Sequence, residues 1–168
     1  MKMVNLNTLK DFTILYCHNK GLSISPLKLQ KLLYYIQSWH IVYFEKDTLF
    51  EELPQAWVNG PVYRSVYDTF KTDFFKNDNF KITLGGGELI TEITKTLESL
   101  DINTNQKDLI YAVLNNYGTM TDEKLVFLTH KEDPWNIARQ GLSPIERSSN
   151  QITVNDIYDY YSKKINKG

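Results

Sequence analysis

Cysteine is nearly absent from this chain: Cys17 stands alone among 168 residues, so no internal disulfide can staple the fold. A lone thiol fits a reducing compartment. Charge of one sign is equally lacking, with 19 Lys and Arg against 20 Asp and Glu and a formal net charge of −1. Neutralising phosphates along a duplex takes a basic excess, so nucleic acid is not the expected partner. Long apolar runs are missing too, since no stretch reaches membrane-spanning length without a charge. At the amino end, MKMVNLNTLKDFTILY is interrupted by Asn5, Asn7 and Asp11 where a secretory signal would be continuously apolar. Together these absences predict a soluble cytoplasmic protein.

Catalytic signatures are just as sparse. Gly85–Gly87 lacks the spacing of a nucleotide-binding fingerprint and no Gly-Lys-Ser/Thr follows it, which leaves a flexible turn. His130-Lys131-Glu132 has the His-x-Glu of zinc deaminases, but no cysteine pair stands downstream to hold the metal. His18, His40 and His130 fall on separate predicted helices without paired-ligand spacing. No Gly-x-Ser-x-Gly surrounds a serine, and on a helix His18 points away from neighbouring Cys17. Neither a metal nor a cofactor is expected. An enzyme acting on a small ligand is the reading with least behind it, and a buried polar pocket beside His40 or His130 would be its structural sign.

What the chain does have is apolar and aromatic side chains: 42% hydrophobic residues, with 11 Tyr and 8 Phe. Across 168 residues this suffices for one domain, 1–168, with a core that needs no staples. KLQKLLYYIQSWHIVYF (28–44) carries two adjacent helical stripes. Leu29, Leu33, Ile36, His40 and Tyr43 make one; Leu32, Tyr35, Trp39 and Val42 make the other. Only a narrow seam of Lys28, Gln30, Lys31, Gln37 and Ser38 is polar. Ser25 can cap the first turn and Pro26 has no amide to leave unpaired there. The chain is therefore expected to be mainly α, a compact helical domain around a buried central helix at about 26–45.

The remaining elements follow from periodicity and punctuation. A first helix starts after Asn7, turns Leu9, Phe12, Leu15 and Tyr16 inward, and stops at Gly21. Residues 55–58 are extended, Gly60-Pro61 is a turn, and a third helix runs from about Pro61 into Phe75 with Val66, Phe70 and Phe74 on one face until KNDN breaks it. Alternation at Phe80, Ile82 and Leu84 suggests a small β-ribbon pairing 80–84 with 55–58. Further helices are expected at about 88–100 and 106–117. Another holds Leu125, Phe127 and Leu128 after a Thr121 cap; one opens at an Asp133 cap with Pro134 and closes at Gly141; the last spans about 154–165 after Thr153.

THKEDPWNIAR (129–139) is the most distinctive short segment: Trp135 and Ala138 share a face and Arg139 sits one turn on from Trp135. Two readings stand. In one, Trp135 fills a packing corner while Arg139 satisfies a carbonyl or carboxylate; in the other both serve a binding surface. Trp57 reads as core-facing.

Four blocks in order, LQKLLYYIQSWH (29–40), AWVNGPVYRSVYDTF (56–70), LTHKEDPWNIAR (128–139) and GLSPIERSSNQIT (141–153), resemble the Panacea domain family, the SocA-like or GepA-like antitoxin domain. The resemblance implies a binding module rather than an enzyme: a prophage- or mobile-element-associated antitoxin that neutralises a cognate toxin by direct contact. As an alternative it implies a proteolytic adaptor delivering a toxin or other client to a ClpXP-type protease. Tyr and Arg give the most energy when desolvated at an interface. Tyr63, Arg64, Tyr67, Trp135 and Arg139 are accordingly the expected partner-binding residues, with Lys28 and Lys31 as charged rims.

Overall fold

The computed structural model describes residues 2–71 and 79–166. Its order is α1 (Leu6–Asn19), α2 (Pro26–Tyr43), β1 (Gln55–Trp57), β2 (Gly60–Val62), α3 (Arg64–Phe70), α4 (Gly86–Leu100), α5 (Thr104–Tyr117), α6 (Asp122–Lys131), α7 (Asp133–Ala138) and α8 (Val154–Asn166). The architecture is mainly α and compact, as expected. Asn5 caps α1 by accepting from the Thr8 amide, Ser25 caps α2 through Lys28, and Thr121 caps α6 through Lys124. Gly21 and Gly141 adopt positive φ, +69° and +86°, where the chain leaves α1 and α7.

Helix α2 is the central post. Leu29, Leu32, Leu33, Tyr35 and Ile36 have no exposed surface. Helices α1, α5, α6 and α8 pack against it, and α4 lies on α1. The polar seam is buried as well, because two glutamines on it receive the backbone of the segment that returns from the post. Gln37 accepts from the Leu49 amide (2.7 Å) and donates to the Phe50 carbonyl (2.8 Å). Gln30 does the same for one residue, accepting from the Tyr63 amide (2.8 Å) and donating to its carbonyl (3.2 Å). The seam is an address for connecting chain rather than a wet face.

The ribbon at 55–58 exists, but with a different partner. β1 pairs antiparallel with β2, with Gln55 opposite Val62, Ala56 opposite Pro61 and Trp57 opposite Gly60. The turn is thus at 58–59, Gly60-Pro61 belongs to the second strand, and α3 begins only at Arg64. Proline is tolerated there because of the register. Ala56, its opposite, turns its own amide to Asn150 O (2.8 Å) and its carbonyl to Arg139 (2.9 Å), away from β2. Residues 80–84 form no strand: the Phe80 amide donates to Ile24 O (2.9 Å) and its ring packs on Phe70. Instead, β1 gains its other neighbour from the closing block, through a Gln55–Gln151 bridge and the Ile152 amide, which donates to Pro54 O (2.8 Å). The expected continuation of α3 to Phe75, with Phe74, and the KNDN break fall largely on residues 72–78, outside the described residues.

Smaller departures have local causes. Phe127 is 57% exposed, because α6 turns Leu125 rather than Phe127 toward the core. At the α6–α7 corner the cap position is Glu132, not Asp133, and neither side chain caps. The Asn136 amide group holds the corner by donating to His130 O (2.8 Å) and Glu132 O (2.9 Å).

Candidate functional site

Of the seven expected partner-binding residues, five lie inside the fold. Lys28 is buried and donates to Gly118 O (2.7 Å) at the end of α5. Lys31 has no exposed surface, and its amine donates to Pro61 O at 3.2 Å. Burial with so little compensation pushes its pKa down to about 7. Tyr63 is fully buried, edge-on to Phe50, and its hydroxyl has no hydrogen-bond partner among the described residues. Trp135 is also enclosed, donating to Trp57 O (2.8 Å) and stacking on His130 with ring centroids 4.1 Å apart. Arg139 lies 5.2 Å from the Trp135 ring and donates to three carbonyls, Ala56 O (2.9 Å), Ser143 O (3.1 Å) and Glu146 O (2.6 Å). That geometry is the packing-corner arrangement: a guanidinium fork tying β1 and the chain after α7 to α7 itself.

Arg64 and Tyr67 reach the surface together. Both lie on α3, spaced so that the Arg64 guanidinium lies 5.7 Å from the Tyr67 ring and 5.9 Å from the Trp57 ring. Arg64 Nε donates to Asp68 at 3.1 Å, an exposed pair one helical turn apart. Trp57 is half-buried rather than core-facing, standing edge-on to Tyr67 with centroids 4.7 Å apart. These three side chains line one side of a groove of about 630 Å³, whose other side is Arg147, Ser148 and Ser149 in the chain before α8. Val58 and Asn59 at the hairpin turn also line it. Arg147 is not among the site residues expected from sequence. Its signal there is the closing block, where an Arg-Ser-Ser triplet sits between two apolar anchors, Leu142 and Ile152.

The two histidines named for a small-ligand site are otherwise engaged. His40 is buried, its Nδ1 2.8 Å from Asp47 O and its Nε2 3.0 Å from the Gln106 amide group, with burial lowering its pKa. His130 stacks on Trp135 with a buried Nε2 that has no hydrogen-bond partner among the described residues, and burial together with nearby Lys31 lowers its pKa. Cys17 is buried, which raises its thiol to about 11 and makes it a packing residue. Among the described residues no group of three or more His, Cys, Asp or Glu could hold a metal ion, and no helix is long and apolar enough to cross a membrane.

A second polar cluster sits in the core. Glu132 Oε1 accepts from the Tyr35 hydroxyl (2.6 Å) and the Tyr161 hydroxyl (2.8 Å), and the Tyr34 hydroxyl lies 3.1 Å from that of Tyr161. Tyr117 stacks on Tyr35 at 4.0 Å and accepts from Trp39 Nε1 (3.0 Å). Desolvation raises the Glu132 pKa while the two hydroxyls oppose the rise. The cluster joins α2, α5 and α8 to the α6–α7 corner, where Glu132 sits.

A family model described as antitoxin SocA-like, Panacea domain, matches residues 29–136, from the central post to the α7 corner. No match is found among curated proteins or among solved structures.

Proposed function

Since the chain belongs to the SocA-like, Panacea-domain antitoxin family, we propose that it is the antitoxin of a toxin–antitoxin pair and neutralises its toxin by direct protein contact. Family membership carries the reading. The fold supports it by concentrating Trp, Tyr and Arg side chains on one groove, the residue types that dominate binding energy when partly desolvated and held rigid. Its volume of about 630 Å³ has room for a few side chains of a partner. The polar chemistry in the interior, the Glu132–tyrosine cluster and the Arg139 fork, is consumed by the fold. A non-catalytic role is therefore the expected one.

The test is expression of the adjacent reading frame with and without this chain. Growth arrest by the neighbour alone, relieved by co-expression, is the expected result; a harmless neighbour would sink the antitoxin reading. Following the toxin's level in the same cells separates two modes. An unchanged level with relief means direct block, whereas a shortened half-life means delivery to a protease.

A further inference from the structure

We propose that the groove between α3 and the chain before α8 receives an acidic segment of the partner, with a carboxylate seated between Arg64 and Arg147. The inference takes the antitoxin reading as its premise for calling that partner a toxin. Charge complementarity carries it. The chain as a whole is balanced, 19 basic against 20 acidic residues, yet among the described residues the groove lining holds two arginines and no carboxylate. Arg147 is exposed and makes no hydrogen bond or ion pair among the described residues. Among the described residues Arg64 hydrogen-bonds only through its Nε, to Asp68, which leaves both terminal nitrogens of its fork to meet a carboxylate. The Arg64–Asp68 pair is more than half exposed on both sides, and a pair of that kind holds its partners weakly.

The surroundings favour a polypeptide. Ser148, Ser149 and Asn59 add short polar side chains along the same groove, able to bond to a backbone laid across it. The Trp57 and Tyr67 rings, edge-on to each other, also line this groove. A nucleic-acid strand would need a basic track beyond two arginines, and the net charge of −1 does not provide one.

The full-length chain is to be titrated with peptides tiled along the adjacent reading frame's product, and with matched acidic, basic and uncharged synthetic peptides each carrying one Phe. Acidic peptides are expected to bind and the others not. Arg64→Glu and Arg147→Glu should each weaken binding by about tenfold or more, while Lys95→Glu, on exposed α4, leaves it unchanged. The double variant R64E/R147E should gain binding to the basic peptide, which a misfolded protein could not do. Equal binding of all three peptide classes, wild-type affinity in both arginine variants, or displacement of the acidic peptide by a short single-stranded RNA would each overturn the proposal. If the double variant still relieves growth arrest, the groove assignment fails and the antitoxin reading stands. If the neighbour is harmless but acidic peptides bind in an arginine-dependent way, the groove assignment stands and the antitoxin reading fails.

Discussion

An amine with no exposed surface and a single carbonyl 3.2 Å away is a poor place for a charge, and Lys31 answers by losing its proton easily, near pH 7. The ordinary value is 10.5, so between about 7 and 10.5 the unfolded chain binds the proton that the native chain has released. Stability should therefore rise through that window, by about 1.4 kcal/mol for each step of one in pH. Urea midpoints measured from about pH 7 to about pH 9 should climb more steeply for the wild type than for Lys31→Met, the difference between the two being the lysine's share. Glu132 has the opposite sign. Its raised pKa means the native chain holds the proton longer, so its contribution falls as pH rises above the ordinary 4.5. Glu132→Gln keeps an oxygen acceptor for Tyr35 and Tyr161 and should lose that slope at small cost. Glu132→Ala strands both hydroxyls and should cost about 2–4 kcal/mol in denaturant unfolding.

Among the elements, the ribbon depends on a conformation that only glycine adopts without strain. Gly60 has φ +113°, and an added Cβ would lie 2.5 Å from Lys31 Cε and 2.9 Å from Thr129 Oγ1. Gly60→Ala should cost about 2–4 kcal/mol from strain and displacement of the lysine. Calorimetry of G60A, K31A and the double variant tests this: the two costs should be far from additive, because Lys31→Ala removes the Cε that the new Cβ would meet. Arg139 is the ribbon's other support. Arg139→Lys keeps the charge but cannot reach Ala56, Ser143 and Glu146 carbonyls at once, and a loss of about 2–3 kcal/mol is expected. The ribbon itself was legible at residues 55–58, but its partner was not. Alternation at Phe80, Ile82 and Leu84 resembles a strand, yet the decisive fact, Phe80 bonded to Ile24, is a contact between residues 56 apart in sequence that no local pattern records.

For the molecule as a whole, the family match ends at residue 136, but the core does not. Ile152, Ile157 and Tyr161 have no exposed surface, Tyr161 completes the Glu132 cluster, and Asn150 and Ile152 bond β1 and its approach. A chain ending at Gln140 should consequently lose its cooperative thermal transition by circular dichroism, and a sharp melt would show that the closing block is dispensable. This matters for the groove too, because Arg147 lies in that block.

Hydrophobic periodicity alone determined the central helix, because two apolar stripes on one helix can be buried only by surrounding it with others. Caps at Ser25 and Thr121 and the glycines at 21 and 141 determined the boundaries for the same local reason. Which side of a polar residue faces water was decided only by tertiary structure. Lys28 and Lys31 look like surface cations in sequence, and Arg139 reads there either as a packing-corner residue or as part of a binding surface. They are buried because Gly118, Pro61 and three further carbonyls arrive from other elements to receive their protons. Arg64 and Arg147, identical in chemistry to Arg139 and 83 residues apart from each other, border one groove because the ribbon and the closing block meet there.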